Sequence, residues 1–115
     1  MYTVKYFARH TGEEPLSLFL DELEAYNMAQ YHKIVTKIEK LEYEGLKLLN
    51  TQMMKRISNT DNLYELRGGQ CRVLVYHDMS KGEFVLLNGF LKKGRRESRE
   101  IEKGLRLLTE YLSNI

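Results

Sequence analysis

Residues 2–7 (YTVKYF) are dense in β-branched and aromatic side chains and predict a first strand. A polar break over 11–14 precedes Pro15, placed where a helix begins and where its missing N–H costs nothing. Leu16, Phe19, Leu20 and Leu23 then follow the i, i+3, i+4, i+7 spacing of an amphipathic helix. The pattern restarts near Asn27, and Tyr31, Ile34, Val35, Ile38 and Leu41 mark a longer helix ending at the C-cap candidate Gly45. Together these two segments predict a helical hairpin. After residue 50 the period changes from 3.6 to 2. Residues 63–67 (LYELR), the turn signal Gly68-Gly69 and residues 71–77 (CRVLVYH) predict a β-hairpin. A second turn, 78–82 (DMSKG), leads to 83–91 (EFVLLNGFL), apolar enough for a central strand buried on both faces. Ser98 is an N-cap candidate for a last helix with the stripe Ile101, Leu105, Leu108 and Leu112, and Gly104 inside it costs about 1 kcal/mol relative to Ala. The order is βααβββα, an α+β domain with helices packed against one face of a mostly antiparallel sheet.

Strand alternation separates core from surface. Cys71, Val73 and Val75 point toward the helices, with Cys71 a small core residue, whereas Arg72, Leu74 and Tyr76 face the other way. Tyr64 and Leu66 are the inward pair of 63–67, which turns Glu65 and Arg67 outward. Two arginines on neighbouring strands of an open face, beside a tyrosine, suit a phosphate backbone and a stacked base. The alternative is that both arginines pair with acids across the sheet.

Composition narrows the class without naming the chemistry. At 115 residues, with 43% hydrophobic and 30% charged residues, the chain fits one globular domain, 1–115. It excludes a disordered tail, a collagen-like repeat and a membrane protein, having no run of about 20 apolar residues. The first residues lack the layout of a signal peptide and the one cysteine forms no internal disulfide, so the expected compartment is the cytoplasm. Three scattered histidines and a single cysteine predict no metal site. The formal charge of +2 conceals an uneven distribution. Residues 55–99 hold 10 basic residues against 5 acids, and the rest of the chain 8 against 11. Residues 92–99 (KKGRRESR) are the densest part, and such asymmetry builds a polyanion-binding face on a protein whose total charge says little.

The ordered motifs LYELR, a glycine turn, CRVLVY and VLLNGFLKK resemble the RelE/ParE toxin superfamily, and within it the HigB-like, phage-derived toxins. The helical hairpin before them and the REI helix after them also fit, so the resemblance spans most of the chain. It implies a RelE-like fold and the toxin of a type II toxin–antitoxin system: a ribosome-dependent mRNA endonuclease that needs no metal or other cofactor. The implied partners are mRNA on the 70S ribosome and a helix-turn-helix antitoxin of the HigA kind. The implied nucleophile is the RNA's own 2′-hydroxyl, which gives a 2′,3′-cyclic product.

Carried over residue by residue, Arg72 matches the strand arginine that meets the scissile phosphate in RelE-like members, and Arg67 closes the YELR motif beside it. Lys92 and Lys93 match the basic position after the last strand, and alternation sends them in opposite directions. The two lysines that RelE carries before the glycine turn are replaced here by Leu63 and Glu65, and its C-terminal tyrosine has no clear counterpart. That leaves His77, Asp78 and Tyr76 as local candidates for proton transfer. His77 has a suitable ordinary pKa of about 6.5, but alternation puts it on the core side unless the strand ends at Tyr76. Tyr76, Arg95, Arg96 and Arg99 complete the expected RNA-binding set. The missing lysines keep open a ParE-type gyrase inhibitor, and a non-catalytic nucleic-acid-binding prophage remnant is a third reading.

Overall fold

The change of period after residue 50 is where the chain passes from helices to sheet. The computed structural model of the chain describes residues 1–58, 62–93 and 97–113. Strand β1 (Thr3–Tyr6) is followed by α1 (Pro15–Tyr26) and α2 (Met28–Glu44), and a 3₁₀ turn (Gly45–Asn50) returns the chain to the sheet. Four strands come next, β2 (Met54–Ser58), β3 (Leu63–Gly68), β4 (Cys71–Asp78) and β5 (Glu83–Leu91), and the order closes with α3 (Glu97–Ser113). Pro15 opens α1 as expected. A single residue, Asn27, separates the two hairpin helices, and its side chain accepts a hydrogen bond from the backbone N–H of Gln30 to cap α2. Gly45, at φ +56°, ends α2 in the left-handed conformation that only glycine adopts cheaply.

The sheet order is β1-β5-β4-β3-β2, with β1 parallel to β5 and the other neighbours antiparallel. This is the expected α+β fold with one strand more. β2 is short and carries Lys55 and Arg56, so its residues lack the density of β-branched side chains that marks a strand, and pairing with β3 creates it. Cys71, Val73, Val75, Tyr64 and Leu66 pack against Leu16, Leu20, Ile34, Ile38 and Leu41 of the helical hairpin, as the alternation predicts.

The C-terminal helix corrects the expectation that all helices share one face. Leu107, Leu108 and Tyr111 of α3 cluster with Leu63, Leu74, Val85, Leu87 and Phe90, on the face opposite α1 and α2. Its buried stripe is Gly104, Leu107, Leu108 and Tyr111, rather than the predicted stripe through Leu105 and Leu112, which are 37% and 47% exposed. A Cβ at Gly104 would collide with Leu74 Cδ1 and stand 3.0 Å from Asn88 Oδ1, so the absent side chain is what lets the helix seat on the sheet. Read from sequence, that glycine is a cost; in the fold it is the contact point. The helix also begins at Glu97, which places the expected cap Ser98 inside it.

Two polar attachments fix the far end of α3. Tyr111 donates its hydroxyl to Asp78 Oδ2 at 2.7 Å, and Glu110 accepts from Arg9 at 3.3 Å. Hydrogen bonds from Tyr111 and Ser80 hold the buried Asp78 carboxyl below its ordinary range. Each of the buried leucines of α3 contributes roughly 1.5–3 kcal/mol by burial, so apolar packing and not helix propensity holds this helix in place. Among the described residues no helix is long and apolar enough to cross a membrane.

Candidate anion-binding site at the turn end of the sheet

α3 packs on β4 and β5. The turn end of β3 and β4 on the same face carries a different set of residues. Arg67 and Arg72 are direct cross-strand partners in the β3–β4 register, and Glu65, two residues before Arg67, shares their face. Like charges placed directly opposite repel, so this pair needs a counter-charge to persist. Glu65 supplies it. Its carboxylate is 1% exposed, accepts from Arg67 Nε at 2.9 Å and stands 3.6 Å from Arg72 Nε. The sequence-level choice between two free arginines and two paired ones is therefore resolved as pairing, with one acid serving both.

The two guanidiniums differ in what they leave accessible, Arg72 being buried and Arg67 partly exposed. Arg72 spends Nη1 on the backbone carbonyls of Gly69 and Cys71, at 2.8 and 2.9 Å, and its Nε is buried with no hydrogen-bond partner among the described residues. Among the described residues Arg67 commits only Nε, and its side chain is about one-third exposed. Two cations against one carboxylate give the spot a positive balance. The buried Glu65 fixes the orientation of both forks, which is the preorganisation an oxyanion-binding site needs. The role that sequence reasoning missed is thus that of Glu65, placed on the outward face with Arg67 but not recognised as the acid that holds both arginines. Its signal was the alternation that put an acid on the arginines' own face.

The arginines border a shallow cleft of about 510 Å³ whose lining includes Lys37, Gln52, Met53 and Gly69. A second cleft of about 440 Å³ shares Gln52 and Arg67 and runs toward Lys55 and Arg56 at the start of β2. Lys92 donates its backbone N–H to the carbonyl of Gln70 at 2.8 Å, which places it at the same turn, two residues from Arg72 in the chain's pairing. Lys93 instead lines a cleft along β5 between α1 and α3, with Glu13, Glu22 and Lys103. Of the two lysines, Lys92 is the one whose backbone pairs at the β3–β4 turn that carries Arg72.

Other expected residues are placed elsewhere. β4 runs on to Asp78, so His77 lies on the hairpin-helix face, its ring stacked on Phe84 at 4.6 Å between centroids. That is five residues, about 17 Å of strand, from Arg72. Burial pulls the His77 imidazole below its ordinary pKa, and the neighbouring Asp78 only partly offsets this. Tyr76 shares the arginines' face but packs edge-on against Tyr111 at 5.9 Å, inside the cluster under α3. Arg99 is exposed on the first turn of α3. Arg95 and Arg96 lie outside the described residues. Cys71 is fully buried and burial pushes its thiol up to about 11, which makes it inert packing.

The sequence matches the family model described as phage derived protein Gp49-like (DUF891) over residues 21–109. The fold is similar to a chain in the crystal structure of the archaeal RelE–RelB complex from Pyrococcus horikoshii OT3. That likeness has a TM-score of 0.57 and 21% identity, covering 82% of this chain and 97% of the other. The toxin–antitoxin complex RelBE2 from Mycobacterium tuberculosis also matches, with a TM-score of 0.48, 16% identity and coverage of 79% and 98%. Comparison with curated protein sequences gave no match. The RelE-like fold expected from the motifs is the fold the chain adopts.

Proposed function

The chain belongs to the phage-derived Gp49-like family, and from that premise we propose that it is the toxin of a type II toxin–antitoxin system, a ribosome-dependent endoribonuclease that cuts mRNA. The observation that carries this reading is the Arg67–Glu65–Arg72 cluster, two cross-strand guanidiniums oriented by one buried carboxylate at the open end of a RelE-like sheet.

The chemistry follows from what such a cluster can do. The 2′-oxygen of a ribose attacks the adjacent phosphorus and loses its proton. The bond from phosphorus to the 5′-oxygen breaks, and that oxygen takes up a proton. The products are a 2′,3′-cyclic phosphate and a 5′-hydroxyl. Extra negative charge accumulates on the non-bridging phosphate oxygens between attack and departure, and preorganised guanidiniums there lower the barrier by about 3–4 kcal/mol. Arg72 and Arg67 take that role, Glu65 positions them, and Lys92 extends the positive field. His77 is too far away and on the wrong face to shuttle the proton. The protein partner in this reading is a cognate antitoxin of the helix-turn-helix, HigA-like kind.

Expression without an antitoxin tests the proposal. The wild-type chain is expected to arrest growth, and Arg67→Ala with Arg72→Ala to relieve the arrest while the melting temperature shows a folded protein. Arg67→Ala alone, at the more exposed position, gives the same answer if the double variant fails to fold. Undiminished toxicity in folded variants removes the site assignment. Induction of DNA damage with intact mRNA would point to a ParE-type gyrase inhibitor, and harmless overexpression to a binding module without catalysis.

A further inference from the structure

The segment sums of charge place the basic residues in 55–99 and leave the helices acidic, but the fold rearranges that division. Helix α2 carries Lys33, Lys37 and Lys40 at i, i+4 and i+7, so all three share one flank, spread over about 10 Å of helix. That flank meets the β3–β4 turn. The Lys33 side chain lies against Gly69, where a glycine Cβ would stand 2.7 Å from its Cδ, and Lys37 lines the same cleft as Arg67 and Arg72. Of the helix's acids, Glu39 and Glu42 belong to the other flank, where the Glu42 backbone carbonyl accepts from Tyr2, whereas Glu44, one turn beyond Lys40, closes the lysine flank at its far end. Among the described residues none of the three lysines has a carboxylate within ion-pairing distance. A helix that is mixed in composition therefore presents Lys33 and Lys37 to the arginine cleft, with Lys40 one turn further along the same flank.

We infer that the Lys33–Lys37–Lys40 flank of α2 is a second phosphate-binding track, which continues the arginine site around the β3–β4 turn and holds RNA beyond the phosphodiester that reacts. The ligand class rests on the endonuclease reading above. Two features favour RNA over an acidic protein segment: the track is continuous with the arginine cleft, and its spacing offers point charges at successive turns of the helix, as a run of phosphates requires.

The test is a salt titration of binding to a fluorescent, fully 2′-O-methylated single-stranded RNA, which cannot be cleaved. Each phosphate neutralised on a single strand adds about 0.7 to the slope of log K against log salt, so Lys33→Gln, Lys37→Gln and Lys40→Gln together are expected to lower the slope by about 2. Gln keeps the helix propensity of Lys, and thermal melts verify the fold. A control carrying Lys81→Gln, Lys103→Gln and Arg106→Gln makes the same change in net charge on other surfaces and is expected to lower the slope by less than about half a unit. Equal slopes for wild type and the α2 variant, or equal losses in both variants, overturn the inference. So does a loss of affinity seen with polyglutamate and not with RNA, which assigns the flank to an acidic protein partner. Cleavage of unmodified, ribosome-bound message by the wild type, with an unchanged α2 slope on the methylated RNA, removes the track and leaves the endonuclease reading standing. A lowered α2 slope with no cleavage by the wild type keeps the track and removes the endonuclease.

Discussion

One face of the sheet is used in two ways. Toward the far end of β4, Leu63, Leu74, Val85 and Leu87 lie under α3, and the polar contacts there are structural: Tyr111 donates to the buried Asp78, and the buried Asn88 donates to the Glu100 carbonyl. Toward the β3–β4 turn the same face carries Arg67, Arg72 and Glu65, with one guanidinium nitrogen buried and unpartnered among the described residues and another guanidinium one-third exposed. Both halves come from the same alternation of side chains along the same strands. What separates them is the reach of a single helix, and the comparison teaches that a strand reads as structural or functional according to what lies over it.

If the two halves are independent, each can be damaged without the other. The largest effect is expected at Gly104→Val, which drives a branched side chain into Leu74 and Asn88 and costs about 1–3 kcal/mol of stability in denaturant unfolding. Cleavage per folded molecule should be unchanged; a loss of activity larger than the unfolded fraction explains would show that α3 also shapes the arginine half.

Tyr111→Phe removes one hydrogen bond to a buried carboxylate, an effect of about 1.5–2 kcal/mol at neutral pH. The folded fold holds the Asp78 carboxyl below its unfolded pKa, so its contribution is complete above about pH 4 and is lost as the pH falls through the lower folded value. The variant lacks part of that contribution. Its stability deficit relative to wild type should therefore shrink in acid, and a deficit constant from pH 7 to pH 2 would contradict the assignment.

Glu65→Gln probes the other half and reverses the pattern. The amide keeps the shape but not the charge that orients both arginines, and cleavage per folded molecule is expected to fall about tenfold, near 1.4 kcal/mol. An unchanged rate would reduce Glu65 to a structural counter-charge.

The sequence made some of this legible and hid the rest for identifiable reasons. The hairpin of 63–77 was readable because period-2 alternation survives in it almost unbroken, and it sorted Arg67, Glu65 and Arg72 onto one face correctly. Strand β2 was not readable, because Lys55 and Arg56 interrupt the apolar pattern and its pairing is supplied by β3. The position of α3 was implied and overlooked: a β5 buried on both faces requires cover on the second face, and Leu74 beside it called for the same. Its rotation was misread because Gly104 counts as helix-weakening in isolation, whereas packing on Leu74 requires it. The lysine flank of α2 was invisible to charge sums along the chain, since helical spacing and not segment composition gathers Lys33, Lys37 and Lys40 together.

The central claim, that the turn end of the sheet cuts RNA, is tested most directly by mapping mRNA ends in a translating extract given the purified protein. The account predicts new ends bearing 2′,3′-cyclic phosphates, produced on ribosome-bound message by the wild type and lost in the folded Arg67→Ala, Arg72→Ala variant. Inhibition of translation with intact message, or the same ends produced by the double variant, would contradict it.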